Sequence, residues 1–248
     1  MADRRRSPLT VPIADPHVCS PNVRLQRLGQ VPLFKDLDAA GLAEVDRHCR
    51  TYGFGAGEAI YVAGRPAARI FVVATGAAKS IRTAPDGRET ILGLYGPGDF
   101  LGAVPALGEE VYADWAWSLT PSCLLGLDAS DYNDLMEEIP ALAMATLKGV
   151  SRRLLDSQHA VHLLAGAPLE SRLAATLLLL MDKLGRPWEG ATLVDVPLTR
   201  DDLASMTGAA TESVSRLLSH WRRSGVIDSG RRWIAVRDVE ALEAIRDA

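Results

Sequence analysis

Residues 198–233 read LTRDDLASMTGAATESVSRLLSHWRRSGVIDSGRRW, two short helical segments around a glycine followed by a basic hairpin. Thr199 caps a predicted helix over Arg200–Met206, with Asp202 three residues on as the return partner of a capping box. Thr207-Gly208 supplies the break, because glycine accepts the positive φ of a tight inter-helix turn. A second helix is predicted over Thr211–Arg223. Val214, Leu217, Leu218 and Trp221 recur on it at three- and four-residue spacing, which turns them towards a core. Thr211, Glu212, Ser215 and Arg216 fall on the other side near the N-terminus, where a helix lying in a major groove meets base edges. The chemistry suits that position: a carboxylate accepts from cytosine N4, a guanidinium donates to guanine O6 and N7, and a serine adapts to either.

Gly225 ends the second helix, Val226–Ser229 is predicted as a strand, Gly230 as its turn, and Arg231 to Val236 as the returning strand of a wing. The candidate DNA contacts are therefore Thr211, Glu212, Ser213, Ser215 and Arg216 on the helix, with Arg200 and Arg231 flanking it. Between Ser213 and Arg237 stand Arg216, Arg222, Arg223, Arg231, Arg232 and Arg237 against a lone acid, Asp228. Phosphates are the natural counter-ions of such a stripe. The plainer reading is that Glu212 and Arg216 form an ordinary i,i+4 surface pair on helices that serve assembly.

The remainder of the chain sets bounds. It has 248 residues, 48% of them hydrophobic, enough for two compact units that are separate or share one long element. A net charge of −4 excludes a wholesale nucleic-acid coat, so any DNA contact is local. The longest apolar run, Leu173–Met181, is about half of the ~20 residues that a membrane crossing needs. The opening MADRRRSPL has arginines but no following apolar core, so it is not a signal peptide, and the protein is expected in the cytoplasm. Three cysteines in a reducing compartment argue against a disulfide framework.

Residues 1–22 carry Pro8, Pro12, Pro16 and Pro21 and three consecutive arginines, and read as a mobile or draped tail. Helices are predicted across Val23–Leu28 and across Ala39–Cys49, the latter with Leu42 and Val45 inward. From Tyr52 the period changes to short strands separated by glycine turns, among them Ile70–Val73 and Thr90–Leu94, with a hairpin at Asp86-Gly87 and a turn at Gly96-Pro97-Gly98-Asp99. Many short strands at such spacing make a small barrel or jelly roll. After Pro140 a long helix carries Ala143, Leu147, Val150, Leu154, Ser157, Val161 and Leu164, with spacings alternating four and three. That is a heptad seam, and Leu147, Val150, Leu154, Val161 and Leu164 are the candidate dimer contacts. Gly166-Ala167-Pro168 stops this helix as a hinge, and Leu169–Leu184 follows as an apolar helix. The expected fold is α+β. Its parts are a tail at 1–22, a β-roll sensor at 23–138, a dimerisation helix at 139–166 and a winged helix-turn-helix at 167–248.

The segments TESVSRLLSHWRRSGVI and GRRWIAV resemble the winged helix of the CRP/FNR family of bacterial transcription regulators. Glu212, Ser215 and Arg216 are similar to the FNR branch of that family more than to its cyclic-AMP branch. The block YGFGAGEAIYVAG…GAAKSIRTAPDGRETILGLYGPGDFLG resembles the family's cyclic-nucleotide-binding jelly roll. The resemblance implies a homodimer on palindromic double-stranded DNA, with a TGA-type half-site core and RNA polymerase as a further partner. It also places Ala103 and about Ala113 where a cyclic nucleotide would meet a glutamate and an arginine. Neither alanine can pair with an anionic phosphate, which argues against cyclic AMP as effector.

By the same resemblance Cys123 falls at the internal ligand of an FNR-type iron–sulfur cluster, and Cys19 lies in the segment that bears the other ligands. The departure is that Cys19 stands alone there. Cys19, Cys49, Cys123 and His17 together make three sulfurs and one nitrogen, suited to an iron–sulfur cluster or zinc, with haem through His17 or Cys19 as a further option. Structural thiols and thiol redox chemistry are the competing readings. No Ser-His-Asp arrangement, P-loop or dinucleotide glycine motif stands in the chain, so an enzyme is not expected. The alternative function is a small-molecule-binding β-roll whose helix-turn-helix serves assembly rather than DNA.

Overall fold

The computed structural model describes residues 8–9, 25, 28–102 and 110–248. The chain divides into two compact units, one of residues 11–82 with 93–156, the other of 1–10, 83–92 and 157–248.

The first unit opens with α1 (Ala39–His48), capped by Asp38, whose carboxylate accepts from the Gly41 amide. Val45 is fully buried and Leu42 packs against the same core, as their spacing requires. The helix predicted at Val23–Leu28 falls largely outside the described residues, although Leu28–Gln30 are helical. Eight strands follow: β1 (Arg50–Phe54), β2 (Ala59–Tyr61), β3 (Arg69–Thr75), β4 (Ala78–Thr83), β5 (Glu89–Tyr95), β6 (Phe100–Gly102), β7 (Trp115–Ser118) and β8 (Ser122–Asp128). They form two four-stranded sheets, ordered β1-β8-β3-β6 and β2-β7-β4-β5. β8 is paired on both sides and buried along nearly its whole length, which explains its continuous run of apolar residues. The Asp86-Gly87 turn forms with Gly87 at φ +82° and the Ala84 amide donating to Arg88 across it.

Between the sheets lies an aromatic core. Phe71 at its centre meets Tyr52 and Phe54 edge-on, at centroid distances of 5.6 and 6.3 Å, and Tyr61 stacks on Tyr112 at 4.1 Å. A second core beneath the helices joins Phe34, Val45, Leu125, Leu127 and Leu142. Here α2 (Ala129–Glu138) packs against the start of α3 (Pro140–Gly166), with the Tyr132 hydroxyl 2.6 Å from the Thr146 hydroxyl. Burial pushes the Tyr132 phenol up to about 12.

The helix α3 carries two stripes. Leu142, Thr146, Gly149 and Arg153 turn inward, and Gly149 is glycine because a Cβ there would come within 2.9 Å of the Phe100 ring. The heptad seam turns outward: Leu147, Leu154, Val161 and Leu164 are 58, 58, 66 and 47% exposed, while Val150 is half-buried.

The second unit is built on α4 (Leu169–Leu184), which buries Leu173, Leu177 and Leu180. Beside it is a sheet ordered β11-β12-β10-β9, made of β9 (Gly185–Trp188), β10 (Ala191–Val194), β11 (Ile227–Gly230) and β12 (Trp233–Val236). The helices α5 (Arg200–Thr207), α6 (Thr211–Arg223) and α7 (Val239–Asp247) complete it. The β9–β10 hairpin and α7 were not expected from the sequence. Gly-Arg-Pro-Trp has poor strand propensity and is held by pairing with β10, and α7 is a short helix anchored by Leu242 and capped by Asp238.

One turn is also corrected. Gly230 remains in the strand, paired with Trp233, and Arg231-Arg232 make the wing turn, with Arg232 at φ +63°. Glycine stands at 230 because a Cβ would lie 2.2 Å from Nε1 of Trp233. Among the described residues no helix is long and apolar enough to cross a membrane.

Candidate nucleic-acid interface

The first helix of the pair begins as its sequence requires. The Asp202 amide donates to Thr199 Oγ1 at 3.0 Å and the Thr199 amide to Asp202 Oδ2 at 2.8 Å, a complete capping box. Gly208 takes the left-handed conformation, φ +61°, that redirects the chain into α6. On α6 the residues Val214, Leu217, Leu218 and Trp221 are all buried. Their phase sets that of the opposite face, where the Glu212 and Arg216 side chains are 82 and 73% exposed. Glu212 Oε1 and Arg216 Nη1 lie 3.9 Å apart, the outer limit of an ion pair, and an exposed pair of that length contributes a few tenths of a kcal/mol at most. Both groups can therefore turn to another partner at little cost. Ser213 and Ser215 sit half-buried at the helix edge, and Thr211 Oγ1 donates to Asp201 Oδ1 at 2.6 Å, tying α6 to α5.

Flanking α6 is a cleft of about 210 Å³ between α5 and the wing, lined by Leu203, Arg200, Arg231, Arg232 and Trp233. Arg231 and Arg232 are exposed at the wing turn. Arg200 is half-buried; its Nη2 reaches Ser229 Oγ at 3.5 Å, while its Nη1 is buried with no hydrogen-bond partner among the described residues. Burial and then the nearby Arg222 charge lower the Arg200 pKa. Unneutralised guanidinium groups around one concavity favour an anion there.

In the β-roll the sequence reading missed the decisive cation. Arg82 and Arg88 point outward, to the Ala113 carbonyl and to Asp86. Arg153 of α3, which the heptad leaves outside the seam, instead enters the aromatic core. Its guanidinium carbon lies 4.9 Å from the Phe100 ring centre and 5.5 Å from that of Tyr95, and its Nη2 donates to the Tyr95 hydroxyl at 2.9 Å. Burial opposes this charge, but Tyr95, Tyr61 and Asp114 more than offset it and leave the pKa raised. Asp114 accepts from the Tyr61 hydroxyl at 3.0 Å, and burial and then Asp114 push that phenol far up. The signal was available, since 142, 146, 149 and 153 repeat at helical spacing. An arginine on an apolar stripe simply reads as surface until its partners are known.

Ala113 is exposed and its carbonyl is taken by Arg82, and Ala103 lies outside the described residues. Ala113 offers a phosphate no side-chain donor of its own, although the Arg82 guanidinium lies beside its carbonyl, and the Asp114 carboxylate is engaged by the Tyr61 hydroxyl. Of the candidate metal ligands, Cys49 and Cys123 are buried in one core cluster, whereas His17 and Cys19 lie outside the described residues. Among the described residues no group of three His, Cys, Asp or Glu could hold a metal ion.

Residues 171–245 match the family model of the Crp-like helix-turn-helix domain, and residues 53–139 that of the cyclic nucleotide-binding domain. The cyclic AMP receptor protein of Thermus thermophilus is 30% identical over 76% of this chain and 84% of its own length. The chain belongs to the CRP/FNR family of DNA-binding transcription regulators. The fumarate and nitrate reduction regulatory protein of Salmonella typhimurium is 25% identical over 76% of this chain and 75% of its own. A solved CRP-family transcriptional regulator, also from Thermus thermophilus, superposes with a TM-score of 0.68 at 27% identity, covering 79% of this chain and 97% of the other. The relatives of this CRP/FNR chain are regulators rather than enzymes.

Proposed function

We propose that two copies of this regulator pair along Leu147, Val150, Leu154, Val161 and Leu164 and insert their α6 helices into successive major grooves of a palindromic duplex. The observation that carries this reading is the exposure of Glu212 and Arg216 above a buried stripe, at the end of the helix that enters a groove. Arg216 reads the guanine of a TGA-type half-site and Glu212 the cytosine opposite. This assignment follows the likeness of Glu212, Ser215 and Arg216 to the FNR branch. Thr211, Ser213 and Ser215 fill the remaining groove positions, and Arg200 and Arg231 hold phosphates. Pairing is supported by the apolar seam, of which Leu147, Leu154, Val161 and Leu164 are left uncovered by the described residues. The regulator acts in the cytoplasm with RNA polymerase as its further partner.

The signal enters through the β-roll or the cysteines and is not cyclic AMP, because by the family resemblance Ala103 and about Ala113 stand where the nucleotide would meet a glutamate and an arginine, and neither side chain can pair with a phosphate. Cys19, Cys49, Cys123 and His17 remain the ligand set for an iron–sulfur cluster or zinc. Metal analysis of anaerobically purified protein, with Cys123→Ser as control, tests that assignment. A regulator without bound metal in both preparations leaves the cysteines as packing residues.

Binding is tested by fluorescence anisotropy on palindromic duplexes. Arg216→Ala should weaken binding by about 1–3 kcal/mol and relax the preference at one base pair of each half-site. An equal loss on every sequence would instead make Arg216 a phosphate contact.

A further inference from the structure

The wing sheet carries a groove on the face turned away from Ile234 and Val236. Cross-strand partners share a side of a sheet, so the pairings Arg186–Leu193, Leu193–Ala235 and Trp188–Ala191 set these five residues on one face. Trp233, two residues before Ala235 on the same strand, joins them. The floor of the groove is low where Ala191 and Ala235 stand, and its end is high where Trp188 and Trp233 meet edge-on at 5.4 Å. A bare row of this kind would face water, yet Leu193 and Ala235 are fully buried and Trp233 is 8% exposed. What covers it comes from the other end of the chain: Leu9 packs with Trp188 onto Ala191, Leu193, Trp233 and Ala235.

The backbone beside Leu9 is held as well. Arg186 Nη2 donates to the Pro8 carbonyl at 2.6 Å, while Asp195 Oδ2 accepts from Arg186 Nε at 2.7 Å and fixes the guanidinium. A hydrogen bond from a charged donor is the stronger kind. The two contacts read different features of a peptide: the guanidinium needs a carbonyl, and the groove needs an aliphatic side chain on the residue that follows. A proline before the leucine helps twice, because it has no N–H to leave without a partner and its fixed φ lowers the entropy lost on docking. All these residues lie within one compact unit of the molecule.

We propose that this face of the wing sheet is a peptide-docking site whose resident is Pro8-Leu9 of the same chain. Arg186 recognises the carbonyl, and the Trp188–Trp233 pair recognises the leucine. By covering Trp233, which directly follows the wing turn, the segment steadies the strand from which Arg231 and Arg232 project. Two residues bind weakly by themselves, but membership of one chain raises their local concentration to the order of millimolar. A separate peptide of the same sequence therefore occupies the groove only near that concentration. The docking is a property of the chain without DNA and is measured without it.

Full-length wild type, Leu9→Ser, Leu9→Met and Arg186→Gln are compared by tryptophan emission, acrylamide quenching and thermal melting. Leu9→Ser should shift the emission to longer wavelength, open the indoles to quenching and lower the melting temperature by a few degrees. Arg186→Gln should move all three readouts the same way, and Leu9→Met should keep the wild-type values. In a Trp188→Phe background the emission shift caused by Leu9→Ser should shrink, which assigns the signal to this groove. A synthetic peptide of residues 1–14, added to Leu9→Ser at about millimolar concentration, should restore the emission, whereas the same peptide with serine at position 9 should not. Unchanged emission in both Leu9→Ser and Arg186→Gln overturns the proposal, as does equal rescue by the two peptides. A wild-type emission that shifts on dilution would place the segment on a second copy and overturn docking within one chain.

Discussion

Arg232 holds a backbone angle of φ +63°, a region that costs a non-glycine residue about 1–2 kcal/mol. Glycine would hold the same angle without that cost, whereas the exposed arginine brings a charge to the tip of the wing. Arg232→Gly should therefore raise thermal stability slightly, or leave it level, and weaken DNA binding on every sequence. The two readouts moving in opposite directions, in calorimetry and in anisotropy, is the expected outcome. Two residues away the sign reverses. Gly230 touches the Trp233 indole, which meets Trp188 edge-on at 5.4 Å, so Gly230→Ala must displace a packed ring pair. Overpacking of that kind costs about 1–3 kcal/mol, readable in a denaturant titration. The sequence marked Gly230 as special for the wrong reason. A glycine in a basic hairpin reads as its turn, and only coordinates reveal that it makes room for an indole three residues on.

Individual elements were legible where a local signal and the tertiary environment agree. The bounds of α6 follow from its buried stripe, those of α4 from the Pro168 stop, and the start of α5 from the reciprocal Thr199–Asp202 hydrogen bonds. The β9–β10 hairpin was invisible because its pairing with β12 supplies what its own composition lacks. For α3 the heptad gave the outward stripe but not the inward one, where a threonine, a glycine and an arginine follow Leu142. Leu154 is 58% exposed on the outward stripe, at the centre of the seam. Leu154→Lys should turn the proposed dimer into a monomer by sedimentation, and should reduce affinity for a palindrome far more than for a single half-site. A variant that stays dimeric would mean that the seam is not the interface.

At the scale of the whole molecule, an acidic chain gathers six arginines against a single acid between Ser213 and Arg237, and most of its tyrosines and phenylalanines in the roll. The α+β order and the regulator class were readable throughout, because the helix-turn-helix and the strand-and-glycine block each carry a period of their own. The interior of the roll was not readable, because its polar network joins residues far apart in sequence: Tyr61, Tyr95, Asp114 and Arg153. Replacing Arg153 by methionine removes a charged hydrogen bond and two ring interactions, and should lower stability by roughly 1.5–3 kcal/mol. Chemical denaturation of the full chain checks this. The same lodged guanidinium restricts what can switch the sensor. Arginine stays protonated at every acidity a cell encounters, so no drift in proton concentration removes this charge from the roll. A competitor wedging between Tyr95 and Phe100 would have to displace this guanidinium before that stretch of helix could part from the roll.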